Sequence, residues 1–485
     1  MDEQRRKSFI LLILLLIGLG IVPLLWPGDA PWIDDEAQLM HMALHSKNTG
    51  EIATHGLTGT RGAVYGPFPT WIYTLLLHLS NDIVEIVRLR AALVTLLTAL
   101  AIFWIALNCS ALRPSVGALA LLSPYLWFYS RNLWDNSFLI PLSALLVAAY
   151  ISFCAKPAVW KSWIIGICVA FMVLTHFMCV ALIVPILAHI VWLHRQWIRG
   201  HVWTLGAQFA LISILSERYV MYVRSHAGFA VKIPDVSGWP GWIFPFLGGR
   251  FFSFYGVDYF FGENWFSSTT PASSIGILLF GLFTWCALAL VWVGMGMAVM
   301  RVWRHFRSNV ESKPFHGDAD FHLSFLSLAV TVSQCLLNGW MRTYTHPHFF
   351  NTTWICFYYF FWTAFSNLPR ERLWRAGRFL YVLAMAACLG FLISSIHRTG
   401  GNQQIHYGPA LQAQINIVRK LNAYHEESQI SAQVLNSTVY EHSLNALGQF
   451  YATPPPDTAP LKKLLIRPVL PPEMNEGWLT IVEEN

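Results

Sequence analysis

Long apolar stretches separated by short polar turns dominate the pattern along this chain. The first, residues 9–26, follows a basic cluster of Arg5, Arg6 and Lys7 and is long enough to cross a bilayer as a helix. The later apolar runs lie near residues 84–108, 115–130, 137–154, 162–178, 179–194, 202–222, 273–300, 321–340, 350–366 and 379–396. The pattern predicts an all-α polytopic membrane protein with about 11 transmembrane helices.

One further segment, residues 67–80, is apolar but too short to span a bilayer comfortably. It begins with Pro67 and Pro69 and carries His78, so we expect a juxtamembrane or re-entrant helix. If this segment does not cross, the basic clusters all fall on the cytoplasmic side. These clusters are Arg113; Lys156 and Lys161; Arg195 and Arg199; Arg301, Arg304, Arg307 and Lys313; and Arg370, Arg372, Arg375 and Arg378.

Composition supports a membrane protein, since 55% of the 485 residues are hydrophobic and only 12% are charged. The first run lacks a small-residue cleavage site and is interpreted as a retained helix. The net charge of +6 is spread over the clusters that set orientation, so no nucleic-acid partner is expected. All eight cysteines lie in or beside apolar runs and no CxxC occurs, which argues against disulfides and a thiolate metal site. No Gly-rich nucleotide loop is present.

The predicted topology divides the chain into a membrane domain, residues 1–396, and a small extracytoplasmic C-terminal domain, residues 397–485. The N-terminus is expected in the cytoplasm of a cell whose cytoplasmic (inner) membrane holds the protein. The outer face collects a first loop at 27–83, a turn at 131–136, a long loop at 224–271 and a turn at 341–353. Within the tail, residues 410–425 have helical periodicity and residues 462–469 suit a strand.

Three adjacent acids, Asp34, Asp35 and Glu36, stand at the start of the first outer loop. Carboxylates beside lipid are costly, which favours a functional interpretation. The alternative is structural: Asp34 or Asp35 could be the N-cap of a helix running through residues 37–44.

The order of motifs on the outer face resembles the GT-C membrane glycosyltransferases, in particular the protein O-mannosyltransferase and lipid A aminoarabinose transferase group. Four stretches carry the resemblance, which covers residues 1–200 well and 320–400 loosely. They are Asp35-Glu36; Tyr65-Gly66-Pro67-Phe68-Pro69; Ser123-Pro124 with Ser130-Arg131 and Asp135-Asn136; and His346-Pro347-His348-Phe349-Phe350.

The resemblance implies an inverting transfer of a monosaccharide from a polyprenyl-phosphate donor, without a metal or other cofactor. Asp35 would be the general base, with Asp34 as its alternative, while Glu36 would orient the acceptor or hold a partner charge. Asp135 and Asn136 would position the acceptor. The residues expected to bind the donor phosphate and lipid are Arg61, Arg131, Arg250 and Arg342, with His346, His348 and Tyr65. Relatives often carry Lys-Pro-Pro where Tyr65-Gly66-Pro67 stands here, so the identity of the phosphate ligand stays open.

Other interpretations of these residues also stay open. Arg131 and Asp135, four residues apart, could form a local helix pair, and His41 and His45 could bind a metal with Asp34 or lie at the interface as ordinary residues.

The predicted topology places Arg88 and Arg90 on the outer side, although basic residues are usually enriched on the cytoplasmic side. We therefore expect them either to snorkel to the headgroups or to hold the lipid phosphate. For the whole chain, the alternative to a transferase is a transporter or flippase of a lipid-linked glycan. The pattern does not specify the sugar or the acceptor, which could be a glycolipid, a polysaccharide or a protein.

Overall fold

The computed structural model describes residues 3–59, 62–227, 273–308, 318–341, 347–369, 371–401, 409–425, 429–434, 438–451, 461–468 and 479–483. Its α-helices are α1 Glu3–Gly20, α2 Asp34–Thr49, α3 Phe68–Leu79, α4 Ile83–Asn108, α5 Pro114–Gly117, α6 Pro124–Arg131, α7 Leu139–Ala155, α8 Val159–Val173, α9 Val180–Leu193, α10 Arg195–Gly200, α11 Val202–Tyr222, α12 Ser273–Ser308, α13 Ala319–Met341, α14 Trp354–Asn367, α15 Arg372–Thr399, α16 Leu411–His425 and α17 Thr438–Tyr451. The strands are β1 Gln429–Val434, β2 Leu461–Pro468 and β3 Leu479–Glu483.

Within the described residues, six helical segments are long and apolar enough to cross a membrane. They are Glu3–Leu24, Ile83–Asn108, Asp135–Ala155, Gly281–Arg307, Ala319–Met341 and Arg372–Arg398, and two shorter apolar helices are Val159–Val173 and Phe177–Leu193. On α1, Leu14 and Ile17 are 62% and 64% exposed, as expected for side chains that face lipid. The predicted polytopic helical membrane protein is confirmed, while the count of about 11 spans stays a prediction.

The apolar run at 115–130 is not one helix, which corrects the prediction of a continuous span there. Pro114 starts α5, residues Ala118–Leu122 form a 3-10 turn, and Pro124 starts α6. Ser123, the residue before Pro124, has extended backbone angles (φ −67°, ψ 123°). The proline ring disfavours helical angles at the residue before it, so the helix stops and restarts.

The short segment after Pro67 is a helix, as predicted. With 12 residues, α3 is about 18 Å long, well short of the roughly 30 Å hydrocarbon core. Its buried face includes Tyr73, Leu76 and Leu77 and packs against α2. Helix α3 therefore lies beside α2 rather than adding a full membrane crossing.

Helix α7 forms the centre of the membrane domain, because almost all of its side chains are buried. It packs against α4, α8 and α13. Helix α14 is also buried along its length, and its backbone comes very close to α12. A Cβ on Gly294 of α12 would lie 1.8 Å from the carbonyl oxygen of Phe360, so only glycine allows this contact.

The C-terminal part combines α16 and α17 with a three-stranded sheet of order β1-β2-β3. Strand β1 is parallel to β2 in a register that pairs Ile430 with Lys462, and β2 is antiparallel to β3, pairing Ile466 with Ile481. The helix expected at 410–425 and the strand expected at 462–469 are confirmed. Helix α17 packs against α2, which places this part of the chain beside the acidic segment.

Candidate functional site

The three acids occupy the first turn of α2. Ile33 precedes the helix in an extended conformation, and Asp34 is its first residue. The Glu36 carboxylate accepts a hydrogen bond from the Ile33 N–H at 3.3 Å, one half of a capping interaction. Carboxylates are stabilised at a helix N-terminus by the exposed N–H groups and the helix dipole. The helix expected in the structural interpretation is present, but its N-cap is Ile33 rather than Asp34 or Asp35, and the carboxylate that bonds to the N-cap backbone is that of Glu36.

Neighbouring acids of this turn have opposite environments. Glu36 is fully buried, whereas Asp35 is exposed. The exposed Asp35 interacts electrostatically with Asp135, which is itself buried and accepts a hydrogen bond from the Asn136 N–H at 2.6 Å. The acids of the first loop (27–83) and of residues 123–136, the second outer segment of the predicted topology, thus come together, although about one hundred residues separate them.

Arg90 supplies a positive charge that interacts electrostatically with Glu36. It is fully buried, and its Nη1 donates to the carbonyl oxygens of Tyr129 at 3.0 Å and Ser130 at 2.5 Å. Those carbonyls lie in the last turn of α6, where carbonyl groups have no partner within the helix. Arg90 therefore caps α6, and the hypothesis that it snorkels to the headgroups is wrong. Arg88, two residues earlier, is half-exposed and pairs with Glu85 on the same helix.

Tyr73 of α3 joins the same buried group. Its hydroxyl donates to the Leu133 carbonyl at 2.6 Å, and it interacts electrostatically with Arg90, Glu36 and Asp135. Burial raises the pKa of Tyr73, so the phenol stays protonated and acts as a donor. Tyr73 ties the juxtamembrane helix to the turn that carries Asp135.

A chain of amides connects the second outer segment with the turn before α14. The Asn351 Nδ2 donates to the Asn136 Oδ1 at 3.2 Å, and the Tyr125 hydroxyl donates to the Asn351 Oδ1 at 2.5 Å. The His348 ring lies edge-on to Trp134, with ring centroids 5.3 Å apart. Asn136 and His348, both predicted as site residues, therefore lie on neighbouring turns.

Arg131, the last residue of α6, contacts the segment that leads into α2. It donates to the carbonyl oxygen of Trp26, and its guanidinium lies 4.5 Å from the centroid of the Trp127 ring. Trp26 has a left-handed conformation (φ 46°), which is strained for a residue other than glycine. The contact with Arg131 helps to hold this conformation.

Asp29 and His397 complete that cluster. The His397 ring stacks on Trp26 with centroids 4.3 Å apart, and its Nδ1 lies 2.9 Å from a carboxylate oxygen of Asp29. Burial raises the pKa of Asp29, and the charges of Arg131 and His397 act in the opposite direction. The start of the first outer loop is thus tied to α6 and to the end of α15.

Tyr65 packs on the turn between α8 and α9, where its ring lies 4.2 Å from that of His176. Next to it, a Cβ on Gly66 would lie 2.1 Å from the Leu174 carbonyl oxygen, so the loop backbone rests directly on α8. The Phe68 N–H also donates to that carbonyl at 3.1 Å. The Tyr65-Gly66-Pro67 motif therefore anchors the end of the first loop.

Several predicted site residues lie outside the described part of the chain: Arg61, Arg250, Arg342 and His346, together with the side chain of Asp34. The two α2 histidines do have described partners. His41 Nδ1 is 2.9 Å from Gln449 Oε1, and His45 Nε2 is 3.9 Å from a Glu51 oxygen. Tyr73, Asn351 and Asp29 were not predicted from the sequence. Each lies in an ordinary apolar or loop context, so no local pattern distinguishes it.

Residues 64–218 match the family described as "Dolichyl-phosphate-mannose-protein mannosyltransferase". No curated protein matches the chain significantly. The fold resembles that of ArnT from Cupriavidus metallidurans in the apo state, with a TM-score of 0.51 and 13% identity over 94% of this chain and 92% of that one. ArnT from the same organism bound to undecaprenyl phosphate aligns with a TM-score of 0.49 and 11% identity over 94% and 93% of the two chains.

The family match spans α3, α4 and the second outer segment, and so includes Tyr73, Arg90, Arg131 and Asp135. The likeness to the apo ArnT structure is one of fold and extends over most of the chain. The predicted resemblance to the GT-C membrane glycosyltransferases is thereby confirmed.

Proposed function

We propose that this protein is a glycosyltransferase that moves a monosaccharide from a polyprenyl-phosphate donor to an acceptor on the outer face of the cytoplasmic membrane. The observation that carries the proposal is the electrostatic interaction of the exposed Asp35 with the buried Asp135, which joins two separate acidic motifs. The matched family is described by a reaction of this class, since dolichyl phosphate is a polyprenyl phosphate.

Asp35 is the general base in this proposal. Its carboxylate accepts the proton of an acceptor hydroxyl or amine as that oxygen or nitrogen bonds to the anomeric carbon. The bond between that carbon and the phosphate oxygen breaks, and polyprenyl phosphate leaves. An exposed base suits this task because the acceptor has to reach its carboxylate. Asp34 is the alternative base, being the adjacent acid of the same helical turn.

Buried side chains around Asp35 hold the proposed base in place. The proposed mechanism uses no metal ion. Glu36 fixes the start of α2 and lies in the electrostatic field of Arg90. In this proposal Asp135 and Asn136 position the acceptor; Asp135 interacts electrostatically with Asp35, and Asn136 accepts a hydrogen bond from Asn351. A preorganised arrangement of this kind loses little entropy during reaction.

The phosphate group of the donor requires cationic or hydrogen-bonding partners near Asp35. We assign this role to the predicted set: Arg61, Arg131, Arg250, Arg342, His346, His348 and Tyr65. The lipid tail has a natural place in an apolar groove between α1 and α4, which Ile13, Leu16, Leu24, Leu96, Ala99 and Phe103 help to line. The groove reaches Leu24, close in the chain to the segment leading into α2.

The test compares the wild-type protein with the Asp35→Asn and Asp34→Asn variants in lipid nanodiscs. Native mass spectrometry measures binding of polyprenyl-phosphate sugars, and donor consumption is followed with an acceptor extract. We expect all proteins to bind the donor, and Asp35→Asn to consume it at least about 100-fold more slowly. The matched control is Glu51→Gln, which neutralises another exposed acid of the first loop.

Each other outcome changes the assignment. Normal turnover by Asp35→Asn with an inactive Asp34→Asn moves the base to Asp34. Failure of the wild type to bind any polyprenyl phosphate removes the transferase proposal. Donor binding without turnover, together with movement of a lipid-linked glycan between leaflets, favours the transporter alternative.

A further inference from the structure

Three potential metal ligands converge inside the membrane domain, far from the acidic site. They are Cys154 of α7, His189 of α9 and His322 of α13, and all three are buried. One ligating atom from each lies within 4.8 Å of the other two. Atoms that bind one ion at 2.0–2.3 Å are spaced over a few ångströms in this way.

The surroundings of His189 suit a ligand. The Tyr150 hydroxyl lies 2.5 Å from His189 Nδ1, whereas the buried Nε2 has no hydrogen-bond partner among the described residues. Metal-binding histidines commonly bond their second ring nitrogen to a neighbouring group, which fixes the tautomer. If Nδ1–H donates to the phenol oxygen, the Nε2 lone pair is left available. The ring of His322 lies 5.6 Å from that of His189.

We propose that Cys154, His189 and His322 bind a Zn²⁺ ion that clamps α7, α9 and α13 together. A thiolate and two imidazoles are ligands that zinc prefers, and the cation would offset the cost of a buried thiolate. This assignment differs from the sequence-based expectation of no thiolate metal site. That expectation rested on the absence of CxxC, but these three ligands are brought together from three separate helices.

The clamp is structural and does not belong to the proposed transferase site. Cys154 stands near the end of α7, whereas Asp135 precedes its first turn, so the two are roughly 25 Å apart along the helix. All three ligands lie next to basic clusters that are predicted to face the cytoplasm: Lys156 after α7, Arg195 after α9 and Lys313 before α13.

The test uses full-length protein purified without a histidine tag or chelator. We expect inductively coupled plasma mass spectrometry to find about one zinc per chain, falling to a small fraction in Cys154→Ser and His322→Gln. Cys168→Ser, at another buried cysteine, is the control and should retain the metal. Replacement of zinc by Co²⁺ should give thiolate-to-cobalt absorption in the wild type and none in Cys154→Ser.

A second measurement covers the case in which the variants do not fold. Removal of zinc from the wild type by a membrane-permeable chelator should lower the midpoint of thermal unfolding, and added Zn²⁺ should restore it. A wild-type protein that lacks metal, shows no cobalt band and gains no stability from Zn²⁺ overturns the proposal. In that case the three side chains form only a buried hydrogen-bonded cluster.

Discussion

At the residue scale, one helical turn gives neighbouring carboxylates different roles. Glu36 points into the protein and stabilises the start of α2, whereas Asp35 is exposed beside Asp135. Side chains one position apart on a helix point in directions about 100° apart. Only a partner surface on one side of α2 can separate them. Helices α3 and α17 pack against α2, and Arg90 of α4 interacts electrostatically with Glu36.

Arg90 and Arg88 offer a matched pair of substitutions on α4. Arg90→Met would remove a positive charge that interacts with the buried Glu36 and would uncap α6, so we expect a loss of about 3–5 kcal/mol in the free energy of unfolding. Arg88→Met removes only a partly exposed pair with Glu85 and should cost at most about 0.5 kcal/mol. Thermal unfolding in one detergent measures both. Equal stability of the two variants would contradict the capping role of Arg90.

His55 predicts a pH dependence in the first outer loop. Its pKa lies below the ordinary value of 6.5, first because of burial and then because of the charge of His226. The ring sits edge-on to Tyr222 at 3.8 Å. Between the lowered pKa and 6.5 the unfolded chain binds more protons than the folded one. The stability present above pH 6.5 is therefore lost as the pH falls through this window.

The measurement is the unfolding midpoint at pH values on either side of that window. We expect the unfolding midpoint of His55→Gln to change less with pH than that of the wild type, because the titrating imidazole has been removed. His78→Gln, at an exposed histidine of α3, is the control and should leave it unchanged. If the unfolding midpoint of His55→Gln depends on pH in the same way as that of the wild type, groups other than His55 control the pH dependence of stability.

At the element scale, breaks in the helices matter as much as the helices. The apolar run at 115–130 is interrupted at Pro124, where the short helix α6 begins. Helix α6 ends at Arg131, beside the segment that leads into α2. A continuous membrane-spanning helix would have no helix terminus at this position. The carbonyls at the end of α6 accept hydrogen bonds from Arg90, and the turn that follows carries Asp135, which interacts electrostatically with Asp35.

Gly66 determines how closely the first loop approaches α8. In Gly66→Ala the new methyl group would clash with the Leu174 carbonyl, a backbone atom that cannot rotate away. We expect the variant to lose about 1–3 kcal/mol of stability and to bind the lipid donor more weakly through displacement of Tyr65. Thermal unfolding and donor titration measure the two effects.

Gly206→Ala is the control for this substitution. Gly206 lies within α11, and a Cβ there meets no atom within 4 Å. Alanine is favoured over glycine in a helix by about 1 kcal/mol, so this variant should be as stable as the wild type or slightly more stable. A Gly66→Ala variant that behaves in the same way would show that the loop can shift freely.

At the scale of the whole molecule, the C-terminal part supports the acidic segment. The Leu411 N–H donates to the Ala30 carbonyl, Gln414 Nε2 donates to the Trp32 carbonyl at 2.5 Å, and the Trp32 indole donates to the Ser443 carbonyl at 3.0 Å. These contacts join residues nearly four hundred positions apart. They fix the backbone just before Asp34, Asp35 and Glu36.

Gln414→Leu tests this support. The substitution keeps the volume but leaves the Trp32 and Pro409 carbonyls without their donor, so we expect a loss of about 1–3 kcal/mol. Hydrogen exchange should rise in residues 30–36, and sugar transfer should slow. Asn416→Leu, at an exposed position of the same helix, is the control. Unchanged exchange in Gln414→Leu would show that the acidic segment is fixed without the C-terminal part.

The sequence by itself determined the membrane-protein class, the resemblance to GT-C enzymes, the short α3 helix and the helix and strand of the tail. These features depend on local quantities: the length of apolar runs, proline positions and motif order. Only the tertiary structure showed that Glu36 is buried while Asp35 is exposed, that Arg90 caps α6, and that Cys154, His189 and His322 meet. Such features depend on which distant helices pack together, and burial and electrostatic environment arise only from that packing.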